Sequence, residues 1–169
     1  MATKLLAEEG IDGVRVEVVA RRLGVTKGSF YWHFKDRDAL LEAVLADWRK
    51  RQTLAIIARL EQGVESPAQR FQHLLRIPFG GARAEWGAGV ELSLRIWARR
   101  DPRAKAALEE VDQLRLQYIE NLLISCGVSK AESTARALMT YCYMRVAGGL
   151  INERQTSLMN QIESNLIRS

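Results

Sequence analysis

Thr26, Lys27, Gly28 and Ser29, four consecutive small, cationic or hydroxyl-bearing residues, open a short helical stretch in the most cationic part of the chain. A helix that reads DNA lays its N-terminal end in the major groove, which calls for small side chains there with cations and hydroxyls around them for phosphate. These residue types meet that description. Gly28 is the telling one, because glycine inside a short helix costs about 1 kcal/mol relative to alanine. Close approach of the backbone to another surface is the usual reason to accept that cost, and here the surface would be a base edge or a sugar-phosphate. Lys27 can then reach guanine O6 or N7, Tyr31 and His33 can donate to phosphate, and Lys35 and Arg37 lie where the next helix starts, near the same strand. The alternative is a solvated cationic face with Tyr31, Trp32 and His33 partly in the core.

The charge distribution agrees with the first reading. The chain has 169 residues and a formal net charge of +5, which permits a polyanionic partner without showing one. Residues 1–53 and 54–169 are each only slightly basic. Between positions 15 and 37, however, Arg15, Arg21, Arg22, Lys27, Lys35 and Arg37 face only Glu17 and Asp36.

The elements that must position this segment read as helices throughout, and no sustained strict alternation marks a half-buried strand. Ala2 to Glu9 forms a first helix stopped by Gly10, so short that one or two further turns are expected before Met1. Val16, Val19, Ala20 and Leu23 share one face of a second, which Gly24 ends. Thr26 caps a third, Lys27 to about Phe34, giving two short helices across a tight glycine turn, a helix-turn-helix. Phe30 and Phe34 are expected to pack inward with Val25. Asp36 caps a fourth helix from Arg37 to about Leu60, with Leu40, Leu41, Val44, Leu45 and Trp48 as its apolar stripe. A headpiece of residues 1–48 and a second helical domain of residues 49–169 follow from this layout.

The run from Leu23 through Gly24, Val25, Thr26, Lys27, Gly28, Ser29, Phe30, Tyr31, Trp32, His33 and Phe34 to Lys35, followed by Arg37, Asp38, Ala39, Leu40 and Leu41, resembles the DNA-binding signature of the TetR family of bacterial transcriptional repressors. The resemblance covers Ala2 to about Trp48; beyond residue 54 only helix pattern and length agree. It implies a homodimer, an operator with approximate two-fold symmetry and a small-molecule inducer. It implies base contacts from Lys27 and Gly28, with Ser29 beside them, and phosphate contacts from Thr26, Tyr31, Trp32, His33, Lys35 and Arg37. Two positions depart from the family pattern. Arg15 stands where relatives place Ser or Thr to cap the second helix and touch phosphate, so the cap is lost while a longer cation becomes available. Glu17 stands where some relatives reach a base with Arg; a carboxylate there either accepts from cytosine N4 or repels the backbone.

In the second domain Ser66 with Pro67, and Asp101 with Pro102, read as cap-plus-proline helix starts. One helix is expected from Pro67 until Pro78, Gly80 and Gly81 close it, and others from about Ala84 to Arg99 and from Pro102 to Cys126, stopped at Gly127. Ser129 and Glu132 read as a capping box opening a helix to about Asn152. A final one spans Thr156 to Ile167. Between Ala135 and Ile151 only Arg136 and Arg145 are charged, so this helix must be covered on most sides. One face is expected to pack in its own domain. The other would meet a second copy together with the final helix, which bears Leu158, Met159, Ile162, Leu166 and Ile167. Ala147, Gly148 and Gly149 would allow close approach, and a core helix in a monomer is the alternative.

Trp86, Trp97, Tyr118, Met139, Tyr141 and Tyr143, with Phe79 and Met144, gather in the middle helices and suit either a pocket for an apolar or aromatic molecule or ordinary core. Glu91, Arg95 and Arg145 are candidate polar anchors.

The fold class that results is all-α: an N-terminal three-helix helix-turn-helix headpiece and a C-terminal helical ligand-binding and dimerisation domain. The expected protein is a ligand-responsive regulator of transcription, a repressor, with double-stranded DNA, a second copy of itself and a small effector as partners. An enzyme is not expected. His33 and His73 are 40 residues apart without partners at metal-ligand spacing, and no phosphate loop or nucleophile motif is present, so no metal and no cofactor is assigned. The longest stretch free of Asp, Glu, Lys and Arg is nine residues, Asn121 to Ser129, against the roughly 18 a membrane span needs. No secretory signal opens the chain, and Cys126 and Cys142 read as reduced thiols, so a cytoplasmic location is expected. The rival classes are a helical adaptor for another protein, which would not need Gly28 among cations, and a small helical enzyme.

Overall fold

A computed structural model describes all residues except 64, 65, 152, 153, 168 and 169. Among the described residues ten α-helices occur and no strand: α1 (Ala2–Gly13), α2 (Val16–Leu23), α3 (Lys27–His33), α4 (Arg37–Arg49), α5 (Ala55–Glu61), α6 (Pro67–Arg76), α7 (Ala82–Trp97), α8 (Pro102–Ser125), α9 (Lys130–Leu150) and α10 (Thr156–Ile167). The chain forms two compact units. The first comprises Met1–Leu54 with Trp86–Val111, and the second Ala55–Glu85 with Asp112–Ser169. The expected headpiece, residues 1–48, lies wholly in the first unit.

In the first unit, Leu5, Leu6, Val14, Leu41, Trp48, Val90 and Leu94 are almost fully buried in one core. The apolar stripe of α4 is buried along its whole length, from Leu40 to Trp48. Gly10 (φ 70°, ψ −172°) interrupts α1 as expected, but helical turns resume beyond it to Gly13. A side chain at Gly13 would run into Glu9 Cβ, so the chain can double back only with glycine there. Gly24 ends α2 in the left-handed region (φ 69°). The N–H of Val25 donates to Ala20 O (3.0 Å) and that of Gly24 to Arg21 O (3.1 Å), closing the last carbonyls of the helix. That turn leaves Val25 exposed, so it does not pack inward with Phe30 as its apolar side chain suggests.

Two further expectations change. The helix from Arg37 toward Leu60 is not uniform: a π-helical turn, Lys50–Leu54, separates α4 from α5. One extra residue per turn lets Thr53 tuck inside, buried, at the place where the apolar stripe runs out. The capping box expected at Ser129 is also not formed. Ser129 Oγ instead donates to Glu132 Oε2 (2.9 Å), a charged acceptor stronger than the hydroxyl itself, and Arg136 holds the same carboxylate from the next turn (3.2 Å). A full capping box opens α6, where Ser66 Oγ accepts from Gln69 N–H and Gln69 Oε1 accepts from Ser66 N–H.

The second unit is built around Phe71, Leu123, Leu60, Ile119, Leu122, Ala137 and Tyr141. α9 presses on the 3-10 turn Ile77–Phe79. Gly148 makes that approach possible, since a Cβ there would lie 2.6 Å from Pro78 O. Its small size therefore serves contact within the unit, whereas Gly149 faces open space and Ala147 is buried. The expected end of this helix at Asn152 lies outside the described residues.

Candidate nucleic-acid interface

α3 is held by one buried anchor and one cap. Phe30 is buried, with Phe34 (ring centroids 5.4 Å) and the edge of Tyr31 (5.5 Å) against it. Thr26 Oγ1 accepts the Ser29 N–H at 3.1 Å, and the two hydroxyls lie 3.1 Å apart. Everything else on this helix faces outward: Lys27, Gly28, Ser29, Tyr31, Trp32 and His33 are all exposed. Trp32, at 87% exposure, lies edge-on to His33 and offers its ring to solvent.

Gly28 sits at the leading edge of this face. Its φ is not positive, and a Cβ built on it would meet only Thr26 Oγ1 at 3.6 Å, an ordinary contact. Neither backbone conformation nor crowding within the chain calls for glycine there. The helix carries the propensity cost of glycine without an internal reason for it.

The electrostatics around this surface are partly satisfied. Lys27 Nζ lies 2.8 Å from Glu17 Oε1 on α2. The ammonium holds the Glu17 carboxyl below its usual range, and the carboxylate in turn raises Lys27. Arg22 is turned away to Glu9 (3.0 Å) and Glu8 (3.8 Å) on α1. Arg15, at the start of α2, is exposed and gives no side-chain cap, and Lys35 is exposed just before Asp36 caps α4.

Arg37 differs from the other candidates. Its Nε donates to Val14 O (2.7 Å) and its Nη2 to Ile11 O (2.8 Å), which ties α4 to the segment between α1 and α2. The phosphate contact expected of it competes with a structural clamp. That role has a sequence signal only in hindsight: an arginine at the first position of a helix has its donors free for any main-chain carbonyls the fold brings near.

The six aromatic and sulfur residues expected to line a pocket are not gathered in one unit. Trp86 and Trp97 belong to the first, and Tyr118, Met139, Tyr141 and Tyr143 to the second. Trp97 is 3% exposed and donates its indole N–H to Asp101 Oδ2 (3.2 Å). Tyr141 is 7% exposed, donates to Asp112 Oδ1 (2.5 Å) and accepts from Arg115 (3.3 Å). Both are core residues with their polar atoms engaged. Tyr118 donates to Glu61 Oε1 (2.9 Å), and burial together with that carboxylate pushes its phenol well up. Tyr143 is half-buried against Phe79 (6.5 Å), and burial raises its phenol too. Met139 and Trp86 are exposed. Of the candidate anchors, Glu91 and Arg95 pair with each other (2.9 Å), and Arg145 lies over the Tyr141 ring (5.0 Å).

α9 has two faces. Ser133, Ala137, Thr140, Tyr141 and Ala147 are buried, whereas Leu138, Met139, Cys142, Val146, Gly149 and Leu150 are exposed. In α10, Met159 and Leu166 are taken into the second unit's own packing, Ile162 and Ile167 are half-buried, and Leu158 is exposed. The second unit also holds a partly open cleft of about 430 Å³ lined by Arg59, Leu60, Gly63, His73, Arg76 and Ile77. Sequence reasoning does not single out these residues, because arginines scattered on two helices look like surface charge until the fold brings them together. Among the described residues no group of three or more His, Cys, Asp or Glu is arranged to hold a metal ion.

Comparison with known proteins bears on both parts of the chain. The family described as bacterial regulatory proteins, tetR family, matches residues 1–44. The tetracycline repressor protein class A from transposon 1721 of Escherichia coli is 46% identical over 50 residues, 27% of this chain and 23% of that repressor. The HTH-type transcriptional regulator SrpR of Pseudomonas putida is 27% identical over 88 residues, 44% of this chain and 41% of the regulator. The matched part is thus under a quarter of the first relative's length and under half of the second's. Whole-chain likeness is seen in structures. A Rhodococcus sp. chain described as a TetR-family transcriptional regulator superposes with a TM-score of 0.74 at 21% identity, covering 99% of this chain and 95% of that one. AibR in complex with isovaleryl coenzyme A and operator DNA gives a TM-score of 0.64 at 15% identity, covering 98% and 94%. These likenesses establish the all-α fold. These relatives and neighbours are described as a repressor and transcriptional regulators.

Proposed function

We propose that this chain, whose residues 1–44 match the family of bacterial regulatory proteins, tetR family, is a ligand-responsive, DNA-binding regulator of transcription of that family, a repressor that acts as a homodimer on a near-palindromic operator and is released by a small molecule with an apolar or aromatic part. The observation that carries the reading is Gly28: an exposed, side-chain-free position at the start of an outward-facing cationic helix, with no requirement for glycine inside the chain. A base edge or sugar-phosphate pressed against that backbone supplies the requirement.

On this reading α3 enters the major groove with Lys27, Gly28 and Ser29 toward the bases. Thr26, Tyr31, Trp32, His33 and Lys35 flank it toward phosphate, and Arg15 reaches the backbone from α2. Arg37 acts mainly by keeping α4 fixed to the headpiece. The exposed stripe of α9, with Leu158 of α10, meets the same surface of a second copy. The two α3 helices then lie about 34 Å apart in successive major grooves. The second unit takes the effector, with Tyr118, Tyr143 and Met139 as contacts that retain free surface and Trp86 as a further one. The effector weakens operator binding only by as much as its affinity differs between the two states of the dimer. AibR, the structural neighbour seen with an acyl-coenzyme A and operator DNA, shows that this fold accommodates both kinds of partner in one protein. No described helix is long and apolar enough to cross a membrane.

The test is a gel-shift titration of the chain against the DNA flanking its own gene, over a range of salt, beside the Lys27→Ala variant. Specific, salt-dependent binding that the variant weakens supports the reading. Cognate binding untouched by Lys27→Ala overturns the assignment of α3 as the reading helix.

A further inference from the structure

We propose that the cleft between α5 and α6 is a binding site for an amphipathic organic anion, a carboxylate or phosphate monoester carried on an apolar body. The proposal rests on the reading that the second unit senses a small molecule, and it names the chemistry of that molecule.

The cleft's lining is lopsided in charge. Of the six described residues that line it, Arg59, His73 and Arg76 carry nitrogen donors, Leu60 and Ile77 are apolar, and none is a carboxylate. At about 430 Å³ it falls in the ordinary range for small-molecule sites, about 300 to 1,000 Å³. Guanidinium groups present a planar fork of donors suited to the two oxygens of a carboxylate or phosphate.

All three donor residues are exposed at the mouth of the cleft, and what distinguishes them from other surface cations of the unit is how it uses its carboxylates. Other cations in the same unit that have one within reach pair with it: Arg70 with Glu61 at 2.6 Å and Lys130 with Glu120 at 2.8 Å. Glu61 ends α5 itself, yet its two oxygens go to Arg70 and Tyr118. Glu163, buried on α10, accepts from Gln72 at 2.5 Å. Arg76 is left with the neutral amide oxygen of Asn160 (3.0 Å), and Arg59 forms no ion pair with a described residue. Two arginines thus line one cavity, while the described acids Glu61 and Glu163 are committed elsewhere. An anion entering it meets two guanidinium groups, Arg59 and Arg76, that form no ion pair with a described carboxylate, while Leu60 and Ile77 receive the hydrocarbon part.

The experiment is isothermal titration of the full chain with octanoate, octyl phosphate, octan-1-ol and inorganic phosphate. Octanoate or octyl phosphate is expected to bind at least tenfold tighter than octan-1-ol, and the preferred one of the two identifies the acid group. Inorganic phosphate is expected to bind at least tenfold more weakly than octyl phosphate. Arg59→Gln and Arg76→Gln are each expected to lower affinity for the acid severalfold without lowering helix content; the single variants keep the test open should the double variant fail to fold. Equal binding of alcohol and acid, or acid binding indifferent to both substitutions, overturns the proposal. So does loss of DNA affinity in the two variants with no acid binding in the parent, which assigns the arginines to phosphate of the duplex. Because the titration contains no DNA, the two ideas fail separately: acid that binds without releasing operator DNA refutes the effector role and leaves this site standing.

Discussion

Lys27 Nζ and Glu17 Oε1 stand 2.8 Å apart on the exposed side of α2 and α3, beside Gly28, where neither backbone conformation nor crowding within the chain calls for glycine. Each stabilises the charged form of the other, so the pair stays ionised from weakly acid to alkaline pH. DNA binding must either break it or carry it into the groove whole. Glu17→Gln is expected to raise operator affinity severalfold at low salt and to steepen the salt dependence by roughly one counterion per protomer. Fluorescence anisotropy at several salt concentrations measures both. An unchanged slope would place the pair outside the interface, and a loss confined to operators with one particular cytosine would make Glu17 a base reader.

Gly28→Ala separates folding from recognition. The new methyl has room, with Thr26 Oγ1 at 3.6 Å as its nearest neighbour, and alanine favours the helix by about 1 kcal/mol. Thermal stability is expected to hold or rise slightly, while operator affinity falls at least tenfold. Retained affinity would mean that the duplex does not press on this position, and glycine there would lose its physical rationale.

Gly148→Ala is expected to behave in the opposite way. Its Cβ would lie 2.6 Å from a backbone oxygen, Pro78 O, so the 3-10 turn or α9 must shift, at about 1 to 3 kcal/mol. Chemical denaturation should show the loss, with DNA affinity per folded dimer little changed. An undiminished midpoint would mean that α9 and the turn are less closely apposed.

Leu138→Lys and Val146→Lys place charge on the outer stripe of α9, where Leu150 is 78% exposed. Neither residue is in the buried core, so the folded unit should survive. Sedimentation velocity is expected to show a shift from dimer to monomer, accompanied by loss of operator binding. A dimer that persists in both variants would locate the self-association surface elsewhere.

Asp101 provides a pH signature in the first unit. Hydrogen bonds from Arg103, joined by one from Trp97, outweigh burial and hold its carboxyl down from 3.8 to about 2. With the folded value below the unfolded one, the stabilisation is complete above about pH 4 and is lost as the pH falls toward 2. Melting temperatures of the parent and Asp101→Asn across that window should converge as the acid form takes over. A constant difference would show that the aspartate acts by shape alone.

Much of the first unit is legible in the sequence because its signals are local. Thr26 and Asp36 cap where short side chains precede periodic apolar residues, and Gly24 turns where a left-handed residue is needed. The apolar spacing from Leu40 to Trp48 requires a buried stripe on any helix. The π-helical turn at Lys50–Leu54 is not legible, since no residue type marks it and it depends on where Thr53 is received. Val25 misleads because apolarity says nothing about which way a tight turn points. At the candidate interface the outward residues of α3 can be named from the sequence, whereas the partners of Glu17 and Arg37 cannot: their bonds join residues 10 and up to 26 positions away. The aromatic residues of the later helices are ambiguous for a similar reason, since a tryptophan such as Trp97 suits a core and a cavity equally well until its neighbours are known.

The two bonds from Arg37 to the carbonyls of Ile11 and Val14 make the joint between α4 and the end of α1 directional as well as strong. A greasy contact would let one helix slip along another; a forked donor seated on main-chain oxygens resists such slippage. On the proposed reading, a tilt imposed on α4 then swings α3 as cargo fastened to a crane arm, so that a small displacement at one end becomes a misfit with the groove at the other.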